Sequence, residues 1–227
     1  MSDPTPASLT PTFPVRFAEG TTRLAAQDPV VAALVAETGP IVFMFPPESN
    51  YAALARSITY QQLAGAAATA IYRRVEALVD EEVTPERMAA LSRDQLLSAG
   101  LSHAKAASIL DLTARAMDGT VVLDDAGLAA ISDDEVVQNL VQVRGIGEWT
   151  AQVFTMIHLG RPDVLPTGDL GIRKGYGLGW KAPIPTPAEL ELIGDPYRPY
   201  RSVFSWYCWR AAEKYGHSSA SAIAGAR

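Results

Sequence analysis

Apolar side chains recur along this chain at three- and four-residue intervals, while alternation at every second position is scarce. That spacing belongs to amphipathic helices and not to strands. Helix starts are marked by side chains that satisfy the free N–H groups of a first turn. Thr84-Pro85-Glu86 opens a short helix with proline at the first helical position, and Thr186-Pro187-Ala188-Glu189 repeats the device. Ser92 precedes Arg93-Asp94-Gln95, with Gly100 as a stop. Ser102 opens a long helix to about Asp118-Gly119, with Ile109, Leu112 and Ala116 on one stripe. Ser132-Asp133-Asp134-Glu135 forms a capping box ahead of Val136, Val137, Leu140 and Val141. Two stretches break the rhythm: a connector from Gly39 to Pro47 and a proline-rich loop from Trp180 to Pro187. The pattern predicts an all-α bundle of roughly ten short helices.

Bulk properties narrow this only a little. With 227 residues and 48% hydrophobic content, the chain can bury a core as one domain or two small subdomains. A net charge of −6 argues against a strong nonspecific polyanion binder, though not against one small local patch. Cys208 is the single cysteine, so neither an internal disulfide nor a cysteine-rich zinc or iron–sulfur site can be built. No apolar run approaches the ~18 residues of a membrane span. Met1 to Pro14 lacks a basic or apolar segment and reads as a frayed tail rather than a signal peptide.

Chemistry concentrates in two places. From Leu140 to Ala151 a helix ending near Val143 meets the turn Gly145-Ile146-Gly147, and a second helix starts at about Glu148 and runs toward Leu159. Glycines let another molecule approach the backbone, and the N–H groups of a helix start favour an anion such as a DNA phosphate. A plain helical hairpin with a glycine-rich turn fits the same residues. Asp169 follows Ala151 by eighteen residues, within Leu165-Pro166-Thr167-Gly168-Asp169-Leu170, at or just inside the start of another helix. There the helix dipole favours an ionised carboxylate, suited to stabilising positive charge on a sugar as a glycosidic bond breaks. An ordinary N-cap is the other reading of Asp169.

The run Val143-Arg144-Gly145-Ile146-Gly147-Glu148-Trp149-Thr150-Ala151, followed at this distance by Pro166-Thr167-Gly168-Asp169, resembles the helix-hairpin-helix DNA glycosylase superfamily, and within it the 3-methyladenine DNA glycosylase II, alkylation-repair branch. The resemblance covers about residues 50 to 212. It implies two helical subdomains with the active site in the cleft between them, about 15–45 plus the C-terminal helices forming one and about 50–165 the other, with the hairpin at 136–159. It implies Asp169 as the catalytic carboxylate. Arg144, Gly145, Gly147, Thr150 and Lys105 would hold DNA phosphates. A monovalent cation, Na+ or K+, would be held by backbone carbonyls near Val141, Val143 and Ile146.

The segment Ser57 to Ala68 resembles the family's Gln-Gln-Leu wedge, which makes Gln62 or Leu63 the plug filling the stack once a base is flipped. Leu63 as a core residue is the bland alternative. Trp149, Trp209, Tyr176 and Trp206 are candidates for the base pocket, where an alkylated, cationic base gains roughly 0.5–2 kcal/mol per aromatic face. Trp206, Tyr207 and Trp209 share one helix and cannot all face a pocket. Relatives that also cut the strand carry a lysine where this chain has Trp149, so no lyase step is expected. The lone Cys208 rules out the relatives' four-cysteine cluster. About 45 residues precede the wedge, too few for the extra α/β domain of longer family members.

The reading is therefore a monofunctional glycosylase removing alkylated bases from double-stranded DNA, without an organic cofactor, monomeric, away from membranes, and cytoplasmic (nucleoid-associated in a bacterium). A non-catalytic hairpin module that binds damaged DNA is the alternative.

Overall fold

A computed structural model describes residues 13–41 and 48–224. Most of the predicted tail Met1–Pro14, and positions 42–47 of the predicted connector, lie outside the described residues. Among the described residues there are thirteen α-helices, a 3-10 turn at Asp195–Tyr197 and no strand. In order they are α1 (Phe13–Gln27), α2 (Pro29–Thr38), α3 (Asn50–Tyr60), α4 (Gly65–Ala77), α5 (Pro85–Ala89), α6 (Arg93–Ser98), α7 (His103–Met117), α8 (Asp125–Ala130), α9 (Asp133–Leu140), α10 (Glu148–Ile157), α11 (Leu170–Gly179), α12 (Pro187–Gly194) and α13 (Arg201–Ala224). The all-α class expected from the periodicity is thus observed, with thirteen α-helices among the described residues against the roughly ten anticipated. Thr84, Ser92, Ser102, Ser132 and Thr186 each cap a helix through the side-chain oxygen, with full capping boxes at Ser92, Ser132 and Thr186.

The chain divides into two compact units, Met1–Phe43 with Gly160–Arg227, and Met44–Leu159. The second unit runs from α3 to α10 around a core that includes Leu54, Ile58, Met88, Leu96, Ile109, Leu112 and Leu140, all fully buried. Tyr51 reaches across it to a 2.7 Å hydrogen bond with Thr113, and the Tyr72 hydroxyl donates to the Ala52 carbonyl at 3.1 Å, so both polar tips are satisfied.

The first unit packs α1, α2 and α11 to α13 around Leu24, Leu34, Phe204 and Tyr207. Asp28 organises one side of it. Its Oδ1 caps α2 by accepting from Val30 N–H at 2.7 Å, and its Oδ2 accepts from the Trp180 indole at 2.8 Å and the Tyr197 hydroxyl at 2.6 Å. Gly171, Gly175 and Gly179 recur at four-residue spacing on α11, and a Cβ on each would meet α13: Trp209 at Gly171, the Cys208 carbonyl at Gly175 and Ala211 at Gly179. This stripe brings the two helix backbones together in a way that bulkier residues would prevent. Helical glycine costs roughly 0.5–1 kcal/mol against alanine, a cost that close packing offsets.

Gly175 is the tightest point, since an added Cβ would be driven into backbone rather than into a flexible side chain. Gly175→Ala is therefore expected to destabilise the protein by about 3 kcal/mol or more, at the upper end of overpacking, as read by urea unfolding. A loss below about 1 kcal/mol would show that α11 and α13 are not in such contact.

Candidate functional site

In the second unit a cavity of about 570 Å³ is lined by one face of α3 and one face of α10. Ala53, Arg56, Ser57 and Tyr60 supply the first face, and Trp149, Val153, Phe154 and Ile157 the second, with His158 just beyond. Both sets follow the i, i+3, i+4 spacing of a helix surface. The volume suits a small planar ligand. Tyr60, Trp149, Phe154 and His158 supply aromatic rings to its walls: His158 stacks on Phe154 with centroids 4.8 Å apart, and the Arg56 guanidinium lies 5.8 Å over the Tyr60 ring. Arg56 is paired with Glu48 at 2.6 Å, so its charge is neutralised locally. Burial holds the His158 imidazole below its ordinary pKa.

Gln61 and Gln62 also line this cavity. They lie in the turn between α3 and α4, where Gln62 takes a φ of +56°, in the left-handed region that costs a non-glycine residue about 1–3 kcal/mol. Leu63 follows with 39% exposure, so it is not the core residue of the alternative reading.

The glycine turn lies between α9 and α10. α9 ends at Leu140, with Val141 as its C-cap, about three residues earlier than anticipated. Ile146 is buried and closes the turn. Gly145 has φ +80° and lies so close to Ser108 that a Cβ would collide with its hydroxyl. Gly147 is different: its φ is −88°, a Cβ there would meet open space, and no side chain caps α10. The first N–H groups of α10 are thus presented beside an open approach. Arg144 is exposed, and its own N–H donates to Asp111 Oδ2 at 2.7 Å. Thr150 is buried and belongs to the cavity wall. Lys105 donates from Nζ to the Thr59 carbonyl at 2.7 Å, which caps α3, and burial lowers its pKa.

In the first unit Asp169 is the N-cap of α11, and its Oδ1 accepts from Ile172 N–H at 2.8 Å. The same oxygen accepts from the Trp209 indole N–H at 3.2 Å. The residue is buried, at 9% exposure. This cap carboxylate is buried, with two donors on one oxygen. Gly171 makes the arrangement fit, because a Cβ there would lie 2.9 Å from that oxygen and 3.3 Å from Trp209 Cδ1.

The sequence-predicted residues therefore fall into two groups. Trp149, half exposed, joins Gln62 and Thr150 at the cavity, while Trp209 joins Asp169. Tyr176 stacks on Trp180 with centroids 5.1 Å apart and meets Phe204 edge-on, so its ring belongs to the aromatic packing of the first unit. Trp206 carries the Arg210 guanidinium 4.8 Å over its ring. The Arg201 side chain is only 12% exposed and is committed to Asp163 and Glu191. Val143 and Ile146 are joined by a 3.0 Å turn hydrogen bond from Ile146 N–H to the Val143 carbonyl. Arg56, Tyr60, Phe154 and His158 were not singled out from sequence. The repeated apolar and aromatic face of α10 was the available signal.

A sequence profile described as HhH-GPD superfamily base excision DNA repair protein matches residues 55–195, which include all of the cavity lining but Ala53, the glycine turn and Asp169. DNA-3-methyladenine glycosylase 1 of Schizosaccharomyces pombe is 29% identical over 166 residues, spanning 72% of this chain and 72% of that protein. The structure of a Bacillus halodurans DNA-3-methyladenine glycosidase superposes with a TM-score of 0.78 at 32% identity, over 87% of this chain and 91% of that one. The Schizosaccharomyces pombe 3-methyladenine DNA glycosylase Mag1, solved with abasic DNA, gives 0.74 at 26% identity over 86% and 97%.

The buried imidazole in the cavity wall yields a pH test. Unfolded, His158 titrates near 6.5; folded, it titrates lower. Between those values the unfolded chain binds more protons, so stability is lost as pH falls below about 6.5 and the loss levels off beneath the folded value. Urea midpoints at pH 7.5 and 5 should fall further in the wild type than in His158→Phe, which keeps the stack without the titration. Equal falls in both proteins would contradict the burial of His158.

Proposed function

The chain belongs to the HhH-GPD superfamily of base excision DNA repair proteins, and from that we propose that it is a monofunctional glycosylase hydrolysing the N-glycosidic bond of alkylated bases, of the 3-methyladenine kind, in duplex DNA. The observation that carries this is the buried Asp169 carboxylate at the head of α11, held by Ile172 N–H and the Trp209 indole.

A base flipped from the stack leaves with the bonding electron pair, and positive charge grows at C1′ and the ring oxygen of the sugar. A fixed carboxylate stabilises that charge as it develops. Water then adds to C1′ and loses a proton, giving free base and an abasic site. An alkylated purine is already electron-poor and departs without strong acid assistance, which suits a site built from one carboxylate and aromatic faces. Trp149 stands where strand-cutting relatives carry a lysine. With no amine at that position no Schiff base forms there, and the strand stays intact.

The uncapped N-terminus of α10 at Gly147 offers N–H groups to a phosphate, with Arg144 beside it. Gln62 or Leu63 fills the vacated stack. A monovalent cation suits the carbonyls near Val141, Val143 and Ile146, hard oxygen donors at the C-cap of α9 and in the bend after it. Bound there, Na+ or K+ would lend positive charge to a phosphate contact. No helix of the described residues is long and apolar enough to cross a membrane. The enzyme works on DNA as a monomer in the cytoplasm, at the nucleoid in a bacterium.

Single-turnover release from methylated duplex DNA tests it. Wild type is expected to free methylated purines and leave strands that break only with alkali. Asp169→Asn should be slower by roughly 10²–10³-fold, the scale of losing one electrostatic stabiliser, while still binding DNA. Binding without release in both proteins would favour a non-catalytic module instead.

A further inference from the structure

Two exposed turns of the second unit have been assigned to DNA, the Gln61–Ala64 turn that carries the wedge and the Arg144–Gly147 turn that grips a phosphate. They are 84 residues apart in the chain, yet the Gln61 side chain joins them, its Nε2 donating to the Gly145 carbonyl at 2.9 Å. Both turns are anchored on one stripe of α7. Lys105 holds the Thr59 carbonyl at 2.7 Å, Ser108 lies against Gly145, and Asp111 accepts from Arg144 N–H at 2.7 Å. Arg115 in turn holds Asp111 at 2.9 Å. α7 thus fixes the two turns from beneath, and Gln61 ties them at the surface.

Resting on the glycosylase reading, we propose that Gln61 is a positioning residue: it locks the wedge turn to the phosphate-gripping turn, so that the plug enters the base stack at a set distance from the phosphate held by the hairpin. One of its amide N–H groups is held by Gly145, and Gln62 and Leu63, both exposed, are the groups that enter. The left-handed Gln62 backbone directly follows this tether, and strained backbone persists where surroundings over-determine it. In free protein the tether faces water and contributes little to stability. Docked DNA excludes that water, and the same bond then strengthens. Its loss should appear in the chemistry of flipping rather than in the fold.

Gln61→Met keeps the length and removes the donor. Expected are an unchanged melting temperature, affinity for a duplex with a neutral tetrahydrofuran abasic site within about twofold, and the same salt dependence, since the phosphate grip survives. The rise in 2-aminopurine fluorescence beside the lesion should shrink, and single-turnover release at saturation should fall roughly tenfold, inside the range that a misplacement of about 1 Å produces. Release and fluorescence equal to wild type would overturn this inference alone. Weakened binding with a shallower salt dependence would also overturn it, by making Gln61 part of the grip. A wild type that neither releases nor unstacks the base would overturn the glycosylase reading and this inference together.

Discussion

Where α11 meets α13 the two backbones approach so closely that Gly175 has no room for a Cβ beside the Cys208 carbonyl. The candidate chemistry depends on that approach. Asp169 heads α11 and Trp209 is the residue after Cys208, so the contact brings the indole N–H onto the carboxylate. With a larger residue at Gly175 the helices would stand apart, and the carboxylate would lose the Trp209 indole N–H. Gly171 repeats the logic one turn earlier, where side-chain bulk would push directly on Asp169 and Trp209. Packing of the first unit and placement of its reactive group are one constraint.

In the second unit α7 has a comparable role. Three of its side chains hold the end of α3 and the glycine turn, and the cavity opens along α3 and α10. This explains how a chain of net charge −6 can suit DNA. Contact through backbone N–H groups at the start of a helix needs no broad basic surface. Several basic residues are engaged within the protein: Arg56 with Glu48, Arg201 with Asp163 and Glu191, and Lys105 with a carbonyl.

Features decided within a few residues were legible in the sequence. The caps at Thr84, Ser92, Ser102, Ser132 and Thr186 follow from local chemistry, as does Asp169 at a helix start. The turn at Gly145 and the buried Ile146 follow from their spacing. Long-range features were not. That Lys105 caps α3 across 46 residues, that Gln61 reaches Gly145, and that Trp209 bonds Asp169 all depend on tertiary neighbours. Tyr176 shows the same limit, since an aromatic near a candidate site looks alike in sequence whether it faces a ligand or, as here, Trp180 and Phe204. The glycine stripe of α11 was in plain view, but its meaning needs the partner helix. His158 is signalled only by its position one turn after Phe154.

Whether Asp169 stabilises positive charge on the sugar is tested most directly by affinity for two abasic analogues in duplex DNA. One carries a cationic pyrrolidine in place of the sugar, the other a neutral tetrahydrofuran. Wild type should bind the cationic analogue tighter by roughly 10²-fold, as for a group complementary to the transition state, and Asp169→Asn should bind the two alike. Equal affinities in the wild type, or a preference that survives Asp169→Asn, would contradict the account.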